Sequence, residues 1–497
     1  MKRSKPAKRL FSSLNIFRPL LGIICSISII THYKKNVSHF IMLIALVVFL
    51  CISAGCKSSS PDQGPDPPKP NGGSEFPIYY ALNESHSNSW VQQTAEGVVG
   101  IVYGIFDQDA GIQDGRKTGN LVYKTILPDG SEKEEVVTTD KGVDKCVLLY
   151  DSNSSPHIFF ARSDNSNQVI FHFYKNSGTV WGRETVINFT NEGGKFIYEL
   201  SADIDKNNII HLIALKSRSN PDSDDFMDAY LNAHLYHITN GSGNWEKTLI
   251  RQYDTLYTYD MAVKTQRRQD IAVDQEGYAH VVFGEQWLYD PQNDPHSIAI
   301  LHYATNKSSR WVMEVALKSS TTTDDSGWYP SLCLDKTGRP VIASTYVARV
   351  KTHSVKYAQL CYSVRLDNGD WETTIVADKD DGYYGTDGRK YSGALPHVKI
   401  DLNNRPHIVF SDIASSHNPQ NVLSTGQIRY AVFNGSSWDI STIYRQPSPI
   451  DFYEGTEMGG QCLLISEDGE KIQVVGQELV STAEDVYTYN LVHFVIK

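Results

Sequence analysis

Cationic side chains are scarce once the first 55 residues are set aside. The chain has 497 residues, with 46 Lys and Arg against 57 Asp and Glu, for a formal charge of −11. Residues 1–55 hold eight of the basic residues and no acid, so the remainder sets 38 cations against 57 anions, a balance of −19. A body that acidic lacks the basic footprint that phosphate backbones require, which argues against nucleic acid as a partner. Cysteine is sparse too. Beyond position 56 only Cys146, Cys333, Cys361 and Cys462 remain, too few for a disulfide scaffold and in no paired metal-ligand spacing. They are expected to be small buried hydrophobes. Sustained helical periodicity is missing, and each N-terminal apolar run falls short of the roughly 20 residues of a comfortable helical bilayer span. What is plentiful is apolar side chain: 40% hydrophobic and 11% aromatic residues exclude wholesale disorder.

The basic segment carries two apolar stretches, Leu20–Ile30 and Phe40–Leu50, separated by a polar stretch containing Tyr33-Lys34-Lys35. Basic residues, an apolar run and then small residues are the parts of a secretory signal. The second run ends in Ile52-Ser53-Ala54-Gly55-Cys56, which resembles a bacterial lipoprotein signal, with Ser53 where that signal more often has Leu. The resemblance implies cleavage before Cys56, lipid on its thiol and a place in the bacterial cell envelope. A non-cleaved helical anchor is the alternative, and either one tethers an exported body. Residues 57–75 are rich in Pro, Gly and Ser, the composition of a solvated tether. The expected division is thus a signal over 1–55, a linker over 56–75 and a folded body over 76–497.

One unit recurs along that body: an apolar run, an Asp-centred turn, an apolar run, a variable loop, a Tyr-containing run, an Asn-Gly-type turn, then Trp and an alternating run. Asp151, Asp205, Asp274, Asp335 and Asp401 open the first turn, and His157, His211, His280 and His407 follow six residues later, with Val341 in the remaining unit. Trp181, Trp245, Trp311, Trp371 and Trp438 open the last run. Short β-branched and aromatic runs between Asp, Asn and Gly turns are strands joined as hairpins. Four strands per unit of roughly 45–55 residues predicts a β-propeller blade. A degenerate unit precedes these five, and a three-strand unit ends the chain. Phe76–Leu82 is expected to complete that last unit, which makes the body one all-β, seven-bladed propeller closed by an N-terminal strand. The repeated His is expected to bond a neighbouring turn, and the repeated Trp to fill the blade core.

The body resembles the sialidase-type, BNR-repeat propellers, often found on exported bacterial proteins. The family's Asp-box, Ser-x-Asp-x-Gly-x-Thr-Trp, is echoed by Asp367-Asn368-Gly369-Asp370-Trp371, one residue short, and by the turns Asn240–Trp245 and Asn434–Trp438. Sialidases of this family grip a carboxylate with three Arg and open with Arg-Ile-Pro, a tripeptide absent here. The resemblance therefore implies a fold and a leaning toward glycans rather than a reaction.

Turns between strands one and two are tight, whereas loops between strands two and three, and from blade to blade, are long and varied. In a propeller both long classes emerge on one face around the central channel, where a site is expected. These loops combine aromatic rings, carboxylates and a few arginines, the groups that stack on sugar C–H faces and bind hydroxyls. Candidate ligand contacts are Arg267, Arg268, Trp287, Trp328, Tyr329, Tyr383, Tyr384, Arg389, Tyr391 and Glu454. Counted back from the turn Asp, Arg267 and Arg268 occupy the blade positions of Trp328 and Tyr329. The leading expectation is a tethered, monomeric propeller that binds poly- or oligosaccharide. The second is a polysaccharide-cleaving enzyme, lyase or glycosidase, acting on an acidic polymer. As a lyase it would use His296, Tyr329 or Tyr383 as base and Arg267, Arg268 or Arg389 to neutralise the uronate. A protein-interaction scaffold in the envelope is the third. No cofactor is expected. The acidic loops Asp107–Asp114 and Asp378–Asp387 offer oxygens to Ca²⁺ but match no EF-hand, and solvated loops are the simpler reading.

Overall fold

The structure is a computed structural model. It describes residues 78–80, 90–104, 120–140, 143–164, 167–175, 180–192, 197–217, 233–253, 261–289, 296–318, 325–349, 355–378, 390–391, 393–413, 426–445, 462–466, 471–481 and 487–496. The chain divides into two units, Met1–Lys69 and Pro70–Lys497, and the first lies wholly outside the described residues, with the signal and Cys56 in it. Among the described residues no helix is long and apolar enough to cross a membrane.

The second unit is a seven-bladed β-propeller of antiparallel four-stranded sheets. β1 (Ile78–Tyr80) stands apart in sequence from its own blade. Blade 1 is β2 (Trp90–Gln93), β3 (Val99–Gly104), β4 (Leu121–Ile126) and β5 (Glu132–Thr138). Blade 2 is β6 (Val143–Tyr150), β7 (Pro156–Asp164), β8 (Asn167–Tyr174) and β9 (Gly182–Asn188). Blade 3 is β10 (Ile197–Ile204), β11 (Ile210–Ser217), β12 (Ala233–Thr239) and β13 (Glu246–Gln252). Blade 4 is β14 (Met261–Val273), β15 (Ala279–Tyr289), β16 (His296–Thr305) and β17 (Val312–Lys318). Blade 5 is β18 (Asp325–Leu334), β19 (Pro340–Arg349), β20 (Val355–Arg365) and β21 (Trp371–Ala377), with the short β22 (Lys390–Tyr391) parallel to β20. Blade 6 is β23 (Ala394–Ile400), β24 (Pro406–Ile413), β25 (Gly426–Phe433) and β26 (Trp438–Arg445). Blade 7 is β27 (Cys462–Ile465), β28 (Ile472–Ser481) and β29 (Tyr487–Val495), completed by β1, whose Tyr79 lies opposite Val492. The N-terminal strand therefore closes the ring as expected.

The core lies between blades. Strand side chains alternate, so each sheet offers one apolar face to the blade before it and one to the blade after. On β11, Leu212 and Ala214 pack toward blade 2 while Ile213 and Leu215 pack toward blade 4. Seven apolar clusters result, each drawn from two adjacent blades, and the seventh joins Cys462, Leu464 and Val475 to Ile101 and Tyr103 of blade 1. The four body cysteines are buried and unbridged.

The turn aspartates hold each first hairpin by one device. In all five, Oδ1 accepts the backbone N–H groups two and four residues on, at 2.7–3.1 Å. The residue three on is left-handed in every case: Ser154, Asn208, Gly277, Gly338 and Asn404. In blades 4 and 6 the second oxygen meets histidine Nε2, Asp274–His280 at 3.2 Å and Asp401–His407 at 3.3 Å. Each of these histidines turns its Nδ1 to a ring on the third strand, Tyr303 or Tyr430, at 2.5 Å. In blades 2 and 3 the third-strand ring is another histidine, His172 at 2.9 Å from His157 and His237 at 3.0 Å from His211. Although Asp–His–Tyr resembles a catalytic relay, His280 and Tyr303 are both buried, which leaves no nucleophile facing solvent. The repeated histidine is structural.

The repeated tryptophan packs against the core, as expected, at the seam with the preceding blade. Trp181, Trp245, Trp311, Trp371 and Trp438 each meet the preceding blade's third-strand ring edge-on: Tyr123, His172, His237, Tyr303 and Tyr362, at centroid distances of 5.2–5.9 Å. Two also donate their indole N–H to an outer-strand carboxylate of that blade, Trp245 to Glu184 at 2.9 Å and Trp371 to Glu314 at 3.1 Å.

The turn carboxylate should dominate stability. Asp335 also receives Arg339 at 2.7 Å, and Asp335→Ala removes all of these acceptors from a buried position at the start of the turn. Denaturant unfolding should show a loss of about 2–4 kcal/mol for Asp335→Ala. Asp367→Ala, at a side chain 92% exposed and 4.0 Å from the same arginine, should cost less than about 0.5 kcal/mol.

Candidate functional site

Chain direction defines two faces. The first strand of each blade runs toward its tight Asp turn and the second runs back, so the second-to-third and blade-to-blade connections share the opposite face. Their long segments lie outside the described residues, but the strand ends beneath them are described.

Blades 4, 5 and 6 break register at one level of the first strand. The ladder is interrupted between Thr265 and Gln269, between Trp328 and Ser331, and between Ala394 and His397. In blades 5 and 6 the break reads Gly327-Trp328-Tyr329-Pro330 and Gly393-Ala394-Leu395-Pro396. Both glycines have positive φ, 76° and 81°, and a Cβ there would sit 2.6 Å from Leu301 Cβ or 2.5 Å from Leu360 Cβ on the preceding blade. Only glycine fits that approach. Two residues later Tyr329 and Leu395 are also left-handed, at φ 51° and 52°. A bulky side chain held there costs on the order of 1–3 kcal/mol, strain that concentrates at ligand clamps and switch regions. Leu395 is 2% exposed and serves the core. Trp328 and Tyr329 are half-buried, with rings edge-on at 5.8 Å.

Directly beneath the break, a belt ties the inner strands together. Asp270 accepts Leu332 N–H at 2.8 Å and the Ser201 hydroxyl at 2.9 Å. Ser331 Oγ accepts Val398 N–H at 3.2 Å, and His397 Nδ1 accepts Leu463 N–H at 3.1 Å. Asp270, Ser331 and His397 all stand four residues before their turn Asp. Asp203 adds a link to Val273 N–H at 2.7 Å. Asp203 and Asp270 keep some solvent-accessible area yet sit deep within the ring wall, and that desolvation raises both acids, Asp203 to about 6. Hydrogen-bond donors and the Lys399 charge oppose the rise. A carboxyl titrating near neutrality has the acidity of a proton donor, but these oxygens already bind the backbone N–H groups of adjoining strands. Their work is positional.

Of the expected contacts, the structure brings Trp328 and Tyr329 together. Arg267 and Arg268 lie on β14 at the same level, between the paired residues Thr265 and Gln269. Trp287 on β15 pairs with Val263, His296 opens β16 opposite Tyr289, and Tyr391 on β22 pairs with Ala358. For these five the backbone alone is described. Tyr383, Tyr384, Arg389 and Glu454 lie outside the described residues, as do the acidic loop at Asp107–Asp114 and most of that at Asp378–Asp387. Among the described residues, no group of three or more His, Cys, Asp or Glu side chains is arranged to hold a metal. The belt was not anticipated, though its constant offset from the turn Asp was a usable signal. So was the repeated Gly-x-x-Pro.

No family model matches the chain, and no curated protein matches it. Among solved structures the chain is similar to a polysaccharide lyase, a PL25 ulvan lyase bound to -[GlcA(1-4)Rha3S]-, at 11% identity and TM-score 0.49, covering 83% of this chain and 94% of that one. It is also similar to the GH93 α-L-arabinofuranosidase of Fusarium graminearum in complex with arabinobiose, at 11% identity and TM-score 0.41, covering 70% and 91%. A third is the β-propeller domain of the Trilobed protease from Pyrococcus furiosus, at 9% identity and TM-score 0.41, covering 84% and 94%. At these identities and TM-scores no activity passes to this chain.

The belt acids carry a signed pH dependence. Because Asp203 titrates at about 6 in the folded chain, above its ordinary 3.8, the native state holds that proton more tightly than the unfolded chain does. Its contribution is fully present below the ordinary value and is lost as pH rises through about 6. Relative to wild type, Asp203→Asn should therefore gain about 1–3 kcal/mol between roughly pH 4 and pH 7, read by denaturant unfolding at each pH. A constant difference would refute the assignment.

Proposed function

We propose that this chain is an exported, lipid-tethered propeller that binds glycans on the long-loop face of blades 4 and 5. The observation that carries the reading is the Trp328–Tyr329 pair, half-buried where the ladder opens, with Tyr329 held on a left-handed backbone. Aromatic faces match the C–H surfaces of pyranose rings. The neighbouring level of β14 supplies Arg267 and Arg268 in sequence, cations suited to carboxylate or sulfate groups on the same chain. Ile78 begins β1 opposite His493, nearer the β27–β28 turn, and Tyr80 ends it opposite Leu491. β1 therefore begins toward the tight-turn face and runs toward the long-loop face.

Glycan arrays and pull-downs on neutral and acidic polysaccharides test the reading. Trp328→Ala and Tyr329→Ala should each weaken binding on the order of tenfold or more with the fold intact by circular dichroism. Absence of binding in wild type, or silence of both variants, would overturn it. A rise in ultraviolet absorbance from unsaturated product on a polyuronate would instead move the site to a lyase. For the tether, Cys56→Ala should abolish lipid incorporation and release the protein from the membrane fraction. Unchanged membrane retention would favour an uncleaved anchor.

A further inference from the structure

The outer strand of each blade pairs on one side only, and its other edge lies outside every described ladder. Such an edge offers N–H and C=O groups to a further strand unless it is guarded, most often by charged side chains. β5 carries Glu132, Lys133, Glu134 and Glu135, and β9 carries Arg183 and Glu184. β13 carries Glu246, Lys247 and Arg251, and β26 carries Asp439 and Arg445. β21 has Glu372, and β1 is only three residues long.

β17 is built differently. Val312, Met313 and Val315 are 42%, 41% and 46% exposed, whereas β5, β13 and β21 each show one exposed large hydrophobic residue, Val136, Leu249 and Ile375. Its one acid, Glu314, is turned to Arg365 and the Trp371 indole of blade 5, and Ala316 packs into the same seam. Strand alternation puts Met313 and Val315 on the other face. From Val312 to Leu317 the edge therefore carries no outward charge. Cations stand at its two ends instead: Arg310 just before Trp311, and Lys318 as the last residue of the strand, both exposed. Among the described residues neither is in an ion pair.

We infer that β17, the outer edge of blade 4, docks a strand of another polypeptide: an extended segment of alternating β-branched residues with an acidic residue at each end. Backbone pairing supplies the attachment, Val312, Met313 and Val315 pack against the incoming side chains, and Arg310 and Lys318 hold the acidic ends. The span from Arg310 to Lys318 is about 27 Å at the ordinary strand rise. Charge also selects against a second copy. Antiparallel pairing of two β17 strands, centred within the exposed stretch, brings the Arg310 of each copy beside the Lys318 of the other, and like charges across a ladder oppose it. The edge lies on the outer rim, apart from the long-loop face, so the inference stands independently of glycan binding.

The probes are capped peptides of about nine residues, long enough to reach from Arg310 to Lys318, with an alternating Val-Thr core and either Asp or Lys at both ends. Fluorescence anisotropy with the intact protein should show the Asp-ended peptide binding about three- to tenfold more tightly than the Lys-ended one, a preference that salt weakens. Hydrogen exchange should show new protection in β17 and none in β21. The double variant Met313→Lys with Val315→Lys restores a charged guard at exposed positions and should weaken binding on the order of tenfold, whereas Ile375→Lys should be silent. Arg310→Glu with Lys318→Glu should invert the preference between the peptides. Absence of binding up to about 1 mM peptide overturns the inference, as does equal binding of both peptides or protection spread over all outer strands. So does concentration-dependent dimerisation that the Met313→Lys, Val315→Lys protein loses, which would assign the edge to a second copy. The comparison of the two peptides on wild type stands even where a variant fails to fold.

Discussion

A buried carboxylate must be surrounded by donors or it will not stay ionised, and much of this ring can be traced from that requirement at the turn aspartates. Five of them accept two backbone N–H groups apiece, which fixes the turn and places the residue three on in the left-handed region. The second oxygen then reaches Arg339 in blade 5, both Arg405 and His407 in blade 6, and a histidine in blade 4. From histidine the contact passes to a third-strand ring, and from that ring to the tryptophan of the next blade. One short polar chain thus runs from the innermost hairpin to the outer strand of the neighbouring blade. Since the apolar clusters also straddle the seams, polar and apolar contacts register the same interfaces.

The two faces divide the work. The tight-turn face is cross-linked between blades, with Ser154 bonded to Glu96, Ser152 to Asn208 and Lys336 to Asn404. At the other end of the inner strands the ladder is interrupted, and the strained Tyr329 sits two residues above the belt at Ser331. Strain of that kind persists only where the surroundings over-determine it. The belt supplies such surroundings: Asp270 binds Leu332 N–H, three residues beyond Tyr329, and so fixes β18 against β14 just below both candidate pairs.

Repetition decided what could be read from the sequence. Asp151 to Asp401, the histidines and the tryptophans were legible because each recurs at a fixed offset, and the closing strand was legible because a ring cannot leave the edge of β29 open. The tryptophans do pack against the core, but that they meet it at the seam with the preceding blade was not legible, for a physical reason. A Trp beginning an outer strand has the same sequence context whether it packs inward or across a seam, and only the ring it meets distinguishes the two. The belt was missed because its members, Asp270, Ser331 and His397, share a position without sharing a chemistry; each accepts a backbone N–H by a different group. Loop residues such as Tyr383, Arg389 and Glu454 have no counterparts in other blades to calibrate them, so only their place in the chain order was legible.

Charge sharpens the choice of where a ligand could bind. Arg183, Arg251, Arg339, Arg365, Arg405 and Arg429 each lie within 3.0 Å of a carboxylate, in turns, between adjacent strands of one blade or at blade seams. Each such pair ties cation and acid into the frame. In a body at −19, a guanidinium committed that way has little left for an anionic ligand, because binding it would strip a partly buried carboxylate of its partner. Binding of an anionic group on the long-loop face of this ring would therefore have to draw on cations above the belt. Arg267 and Arg268 meet that condition by position, at the level where β14 loses register and β18 presents Trp328 and Tyr329. The scarcity of positive charge, a global property of the sequence, thus converges with a local break in the sheet.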